Sequence, residues 1–151
     1  MCIEWLKKKI CTPECDIDPP SPKEDMNHSE VYTILRAELG DECKIYLSDV
    51  DYKTTTKEEI QRFLANDDTN LYNYIGEYYD CDDFSFRLHG KLSVPGWGDL
   101  TFGIFWVGMP GGGGHAVNIF IDSDSKVWCV EPQTDDIYEL PKEWVPWLVV
   151  M

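Results

Sequence analysis

The stretch CDDFSFRLHGKLSVPGWGDLTFGIFWVG, residues 81–108, contains the change on which the fold turns. In its first part Phe84, Ser85 and Leu88 follow Cys81 at three, four and seven residue steps, a spacing that sets all four on one face of a helix. Cys81 thereby stands at a helix start with its thiol on the packed side. Pro95-Gly96-Trp97-Gly98 ends that periodicity, and the chain then reads in strand-length runs: Leu100 to Val107, Ala116 to Asp122, Lys126 to Glu131 and Ile137 to Leu140, divided by Gly, Asp and Ser turns.

Upstream, the pattern is helical. Ser29 to Leu39 places Val31, Ile34, Leu35 and Leu39 on one face, with Ser29 as the expected cap and Gly40 as the stop. Lys44 to Leu47 is a short apolar segment of strand length. Thr56-Lys57-Glu58-Glu59 is a capping-box pattern that opens a helix through Ala65, with Ile60, Phe63 and Leu64 inward. Leu71 to Tyr79 is a further, aromatic-rich helix candidate. Helices first and an antiparallel sheet second predict an α+β domain.

Residues 1–28 read differently. Pro13, Pro19, Pro20 and Pro22 among charges exclude a helix or central strand and predict a tether. Before it, Met1 to Ile10 spaces Ile3, Leu6 and Ile10 as a short amphipathic helix would. The expected organisation is a head and tether over 1–28 and one domain over 29–151.

Composition narrows the partners. At 151 residues with 43% hydrophobic content the chain is long enough to bury a core. A formal charge of -15 repels a nucleic-acid backbone, so no nucleic-acid partner is expected. No run approaches the roughly 18 apolar residues of a membrane span. Lys7, Lys8 and Lys9 follow the apolar residues of the head, the reverse of a secretory signal, so a soluble, cytoplasmic protein is expected. The six cysteines lack paired zinc-site spacing. Cys11 and Cys15 are the one close couple, and Cys43 and Cys129, among strand-like apolar residues, read as buried.

A cysteine nucleophile needs a base, and the base needs an acceptor on its second ring nitrogen. Cys81 at a helix N-terminus, His115 at a strand start after Gly111 to Gly114, and Glu131 at the end of the next strand fill those places in chain order. If the two strands form a hairpin around Asp122 to Ser125 with paired residue numbers adding to about 246, His115 and Glu131 are cross-strand neighbours. The Cys81 backbone N–H, with Gln133 or Trp97, is the expected oxyanion donor set. His28 and His89 are poorer candidates, and the glycine run lacks the Gly-Lys-Ser/Thr ending of a phosphate loop.

Asp80, Asp82 and Asp83 crowd Cys81, and their charge disfavours a thiolate. Two readings stay open. Either the aspartates cap the helix, or a calcium ion held by some of them offsets the charge; local acidity nominates Asp82 and Asp83 as ligands.

Tyr79-Asp80-Cys81-Asp82-Asp83-Phe84, Gly114-His115-Ala116-Val117-Asn118 and Val130-Glu131-Pro132-Gln133 resemble motifs of the C-terminal domain of the Marasmius oreades agglutinin family. The resemblance implies a papain-like fold, a Cys81-His115-Glu131 triad and calcium-dependent proteolysis of a peptide or protein substrate. That family carries a β-trefoil sugar-binding domain, whereas residues 1–28 here read as a head and tether, so no glycan binding is expected from the resemblance. The expected activity is therefore that of a papain-like cysteine protease, a thiol hydrolase. Two alternatives stand beside it: a transglutaminase-like acyl transferase, and a non-catalytic binding or adaptor module that binds a partner through its aromatic and glycine-rich loop.

Overall fold

The computed structural model describes residues 17–151. The expected head helix, Cys2, Cys11 and Cys15 lie outside the described residues. The stretch read as tether ends in a strand, β1 (Glu24–Asn27), which pairs antiparallel with β3 (Asp51–Thr54).

Asn27, not Ser29, caps the first helix, α1 (His28–Leu39). Its side chain accepts the Ser29 and Glu30 N–H groups at 2.9 and 3.2 Å, while Glu30 returns a carboxylate to the Asn27 N–H at 2.8 Å. The reciprocal pair satisfies orphan donors at the helix start and fixes it two residues earlier than expected. Thr56 opens α2 (Lys57–Leu64) as its sequence predicts, accepting the Glu59 N–H at 3.3 Å. The helix expected over Leu71 to Tyr79 does not form. A single 3-10 turn, Thr69–Leu71, gives way to an open loop that closes on itself through Ile75 N–H to the Tyr79 carbonyl at 2.9 Å and the reverse bond at 2.7 Å. Glu77 at φ 65° lies in the left-handed region, which an α-helix cannot accommodate. The third helix, α3 (Cys81–Leu92), buries Phe84, Ser85, Leu88 and Leu92 on the face that begins at Cys81.

The main sheet runs β2 (Lys44–Tyr46), β8 (Val145–Val150), β4 (Phe102–Gly108), β5 (Gly114–Ile121), β6 (Val127–Glu131), β7 (Asp136–Tyr138). All its pairs are antiparallel except β2 with β8. Alternation along β5 divides the core. Val117, Ile119 and Ile121 face α1, with Val31, Leu35 and Leu39, whereas Phe120 faces α2 and α3, with Ile60, Phe63 and Leu88. Each such fully buried side chain contributes roughly 1.5–3 kcal/mol of transfer free energy. The α+β class is as expected.

The hairpin register differs from the expected one. Asn118 pairs with Val130 and Ile119 with Cys129, two residues away from the predicted sum. The turn is longer than composition suggests: Asp122 donates its N–H to the Lys126 carbonyl at 2.9 Å, and its side chain accepts the Asp124 and Lys126 N–H groups, each at 2.9 Å. Continuing the observed register sets Glu131 opposite Val117, so His115 is its diagonal neighbour on the same face.

Candidate functional site

The diagonal is close enough for contact. His115 Nε2 and Glu131 Oε2 lie 2.8 Å apart, with the two side chains 20% and 17% exposed. Gln133 was expected to donate to an oxyanion; its Nε2 instead donates to Glu131 Oε1 at 3.2 Å. Glu131 thus receives a hydrogen bond on each oxygen, and the imidazole is fixed with Nδ1 left over. Trp144 meets the His115 ring edge-on at 5.8 Å.

Cys81 approaches this strand end from the opposite face of the sheet, carried by the start of α3. Its sulfur lies by the backbone N–H of Ala116, the residue after His115. Among the described residues no hydrogen bond joins Cys81 to His115. Burial pushes the Cys81 thiol up; the Ala116 N–H opposes this, and Asp80 and Asp82 add to it. Burial and the two carboxylates thus favour the neutral thiol over the thiolate, against the Ala116 and Asp82 N–H groups.

Trp97, the other expected oxyanion donor, is not at the site. Its ring is fully buried against Phe63, centroids 4.8 Å apart, and its Nε1 donates to the Ile17 carbonyl at 3.3 Å. The Pro95-Gly98 turn directs the indole inward, because burying so large an apolar surface outweighs keeping it at a rim.

The two expected metal ligands part company. Asp83 accepts the Asp80 N–H at 3.1 Å and belongs to the helix cap. Asp82 stays with Asp80, whose side chain, followed by burial, pushes the Asp82 carboxyl up. Donor atoms of Asp80, Cys81 and Asp82 all lie within 4.8 Å of one another. The two carboxylates suit a hard cation, whereas the thiol is not a calcium donor. Cys43 and Cys129 are buried as expected, with Cys129 pushed up to about 12 by burial.

Sequence reasoning missed the aromatic surface around this point. Leu71, Tyr74, Ile75 and Tyr78 are all more than half exposed in the loop that leads into Cys81. The Tyr74 phenol is pushed up by desolvation and then by Asp80, Cys81 and Glu77, which places its ring at the start of α3. Tyr72 and Tyr79 tie the loop to α3: the Arg87 guanidinium lies over the Tyr72 ring, and Tyr79 meets Phe84 edge-on. On the other side Gly111, Gly112 and Gly113 take φ of 86°, 99° and 93°, left-handed values that require glycine. Trp147 lies so close over Gly108 and Gly114 that a Cβ on either would meet it at 2.8 or 3.0 Å. The repeated Tyr in Tyr72-Asn73-Tyr74 and Tyr78-Tyr79 was the available signal, but helix periodicity absorbed it. Among the described residues, four cavities of 480 to 610 Å³ are lined by residues other than Cys81, His115 and Glu131.

No family model matches the sequence, and no curated protein matches it. Solved structures do. PSL1a in its E64 complex superposes with a TM-score of 0.74 at 23% identity, covering 84% of this chain and 51% of that one. A Polyporus squamosus lectin bound to the human-type influenza-binding epitope Neu5Acα2-6Galβ1-4GlcNAc gives 0.71 at 24%, covering 84% and 49%. The chain therefore spans about half the length of the solved structures it matches. At these identities the likeness establishes the fold alone. The expectation of a cysteine protease is corrected: the similar structure whose function is described is a lectin bound to a glycan, and among the described residues His115 is bonded to Glu131 and not to Cys81. Three short motifs on a shared scaffold do not carry an activity with them. Among the described residues no helix is long and apolar enough to cross a membrane.

Proposed function

We propose that this chain is a non-catalytic binding module on a papain-like scaffold, and that it holds an uncharged oligosaccharide on the open face between the aromatic loop and the glycine loop. The observation that carries the reading is the exposure of Leu71, Tyr74, Ile75 and Tyr78 beside Asp80, Cys81 and Asp82. Aromatic rings offer flat, amphipathic surfaces to the C–H faces of a sugar, and neighbouring carboxylates accept its hydroxyls. A net charge of -15 selects against anionic ligands. The sialylated end of the epitope held by the similar lectin is therefore expected to bind poorly here, and its neutral Galβ1-4GlcNAc part to bind better.

Within this face His115, oriented by Glu131 and Gln133, offers Nδ1 to a ligand hydroxyl, and the Cys81 thiol adds a weak donor. Calcium belongs to the same proposal as a surface ion on Asp80 and Asp82, where its charge would offset the crowding of the two carboxylates. Asp83, committed to the helix cap, has no part in it.

Titration of the full chain with neutral and sialylated oligosaccharides, followed by the NMR signals of the loop tyrosines, tests the reading. Saturable shifts at Tyr74 and Tyr78 with the neutral sugar are expected. Peptide cleavage that disappears in Cys81→Ala, or saturable binding of peptides with no response to any sugar, would overturn it.

A further inference from the structure

We propose that Asp135 is a positioning residue that clasps the aromatic loop to the turn after Glu131, and that the clasp tightens when Asp135 takes up a proton. The proposal rests on the binding reading above, whose contact surface is that loop. Asn70, in the 3-10 turn at the root of the loop, donates from Nδ2 to Asp135 Oδ2 at 2.5 Å. The Asp135 backbone N–H in turn donates to the Glu131 carbonyl at 2.9 Å. One residue thus joins the root of the aromatic loop to the residue that orients His115.

The Asp135 carboxyl is badly placed to be charged. Its Oδ1 is sealed from solvent and has no hydrogen-bond partner, so an ionised form there carries an uncompensated desolvation cost. The surrounding charges act in the same direction. Asp67, just before the 3-10 turn, and Asp136, the first residue of β7, both act on it. Asp68 is paired with Arg87 and Lys91 of α3, at 2.8 and 3.0 Å, so those cations are directed to Asp68. Burial first, then Asp67 and Asp136, push the Asp135 carboxyl up to about 6. A carboxyl raised in the closed state is without penalty below the ordinary carboxylate range. The penalty grows as pH rises toward about 6 and is complete above it. The loop is therefore held most firmly in acid and loosens toward neutrality.

Hydrogen exchange on the ligand-free chain tests this at the amides of Ile75, Tyr78 and Tyr79, all bonded within the loop. Corrected for intrinsic rates, their protection is expected to fall about tenfold between pH ~5 and pH ~7.5, within the roughly hundredfold ceiling of a two-unit displacement. Asp135→Asn keeps a residue that tolerates the left-handed φ of 63° and retains an acceptor for Asn70. It should hold protection at the acid level throughout, while Asn70→Ala lowers it at both pH values. A pH dependence that survives in Asp135→Asn, or protection that does not change with pH in the wild type, overturns the proposal. Because no ligand is present, failure of the binding reading shows separately, as an absent sugar titration beside an intact exchange pattern.

Discussion

The β5–β6 hairpin and the aromatic loop meet at one site and are built in opposite ways. In the hairpin, Val117, Ile119, Phe120, Cys129 and Val130 are at most 2% exposed, and the backbone is paired along the whole ladder. In the loop, large apolar side chains face solvent and the backbone closes only on itself. Rigidity in the first region fixes His115 and Glu131; exposure in the second offers surface that the fold does not use. Supporting and contacting parts of a site often divide in this way, with the precise positions set on regular elements and the adaptable ones on loops.

Truncation in the sheet should produce the largest effect. Phe105→Ala removes a fully buried ring between α1 and the sheet and should cost about 3–5 kcal/mol in denaturant unfolding. A loss under about 1 kcal/mol would mean that this face is loosely packed and is not the rigid support described. Tyr78→Ala should do the reverse: Tyr78 is 85% exposed, so unfolding should hardly change, while neutral-sugar affinity falls about tenfold. Equal affinity in wild type and variant would move the contact surface away from the loop.

Glu131→Ala should lie between these extremes, at about 1–2 kcal/mol of stability, because it leaves the part-buried His115 and Gln133 donors unpaired. The His115 ring signals should broaden as the imidazole loses its fixed orientation. A smaller effect is expected from alkylation of Cys81 by iodoacetamide. Its rate should rise only at pH above the ordinary thiol range and show no plateau near neutrality, since burial, Asp80 and Asp82 hold the thiol protonated. Asp82→Asn should shift that rise to lower pH. A plateau at neutral pH in the wild type would reveal a thiolate paired with His115 and break the non-catalytic reading. Smallest of all is the expected calcium effect, a rise of a few degrees in melting temperature that Asp82→Asn abolishes and Asp83→Asn leaves in place. A melting point unchanged by calcium and chelator alike would remove the ion from the account.

Local signals account for much of this molecule. Cys81 at a helix start, the break at Pro95–Gly98, the Thr56 cap and the β4 to β6 strands were all legible in order, because each rests on neighbours within a few residues. So was the association of His115 with Glu131, although for a partly mistaken reason: the register was two residues off, and the diagonal contact survived because both residues kept the same face. Strands β1, β3 and β8 were not legible. Their partners lie far away in sequence, and Pro146 within β8 is accommodated at a shift in the register against β4. Trp97 and Gln133 were assigned by residue type to a role that burial and a nearby carboxylate took from them.

Sequence alone determined the α+β class, the helix that presents Cys81 and the pairing of His115 with Glu131, since these follow from periodicity, capping and face. The tertiary structure decided that Asp83 belongs to the cap, that Tyr74 and Tyr78 form an exposed surface, and that Asp135 touches Asn70 across 65 residues. It also decided what surrounds the Cys81 sulfur. A helix N-terminus favours a thiolate whatever lies around it, but desolvation and the charges of Asp80 and Asp82 depend on which surfaces close over the sulfur, and those surfaces come from distant parts of the chain.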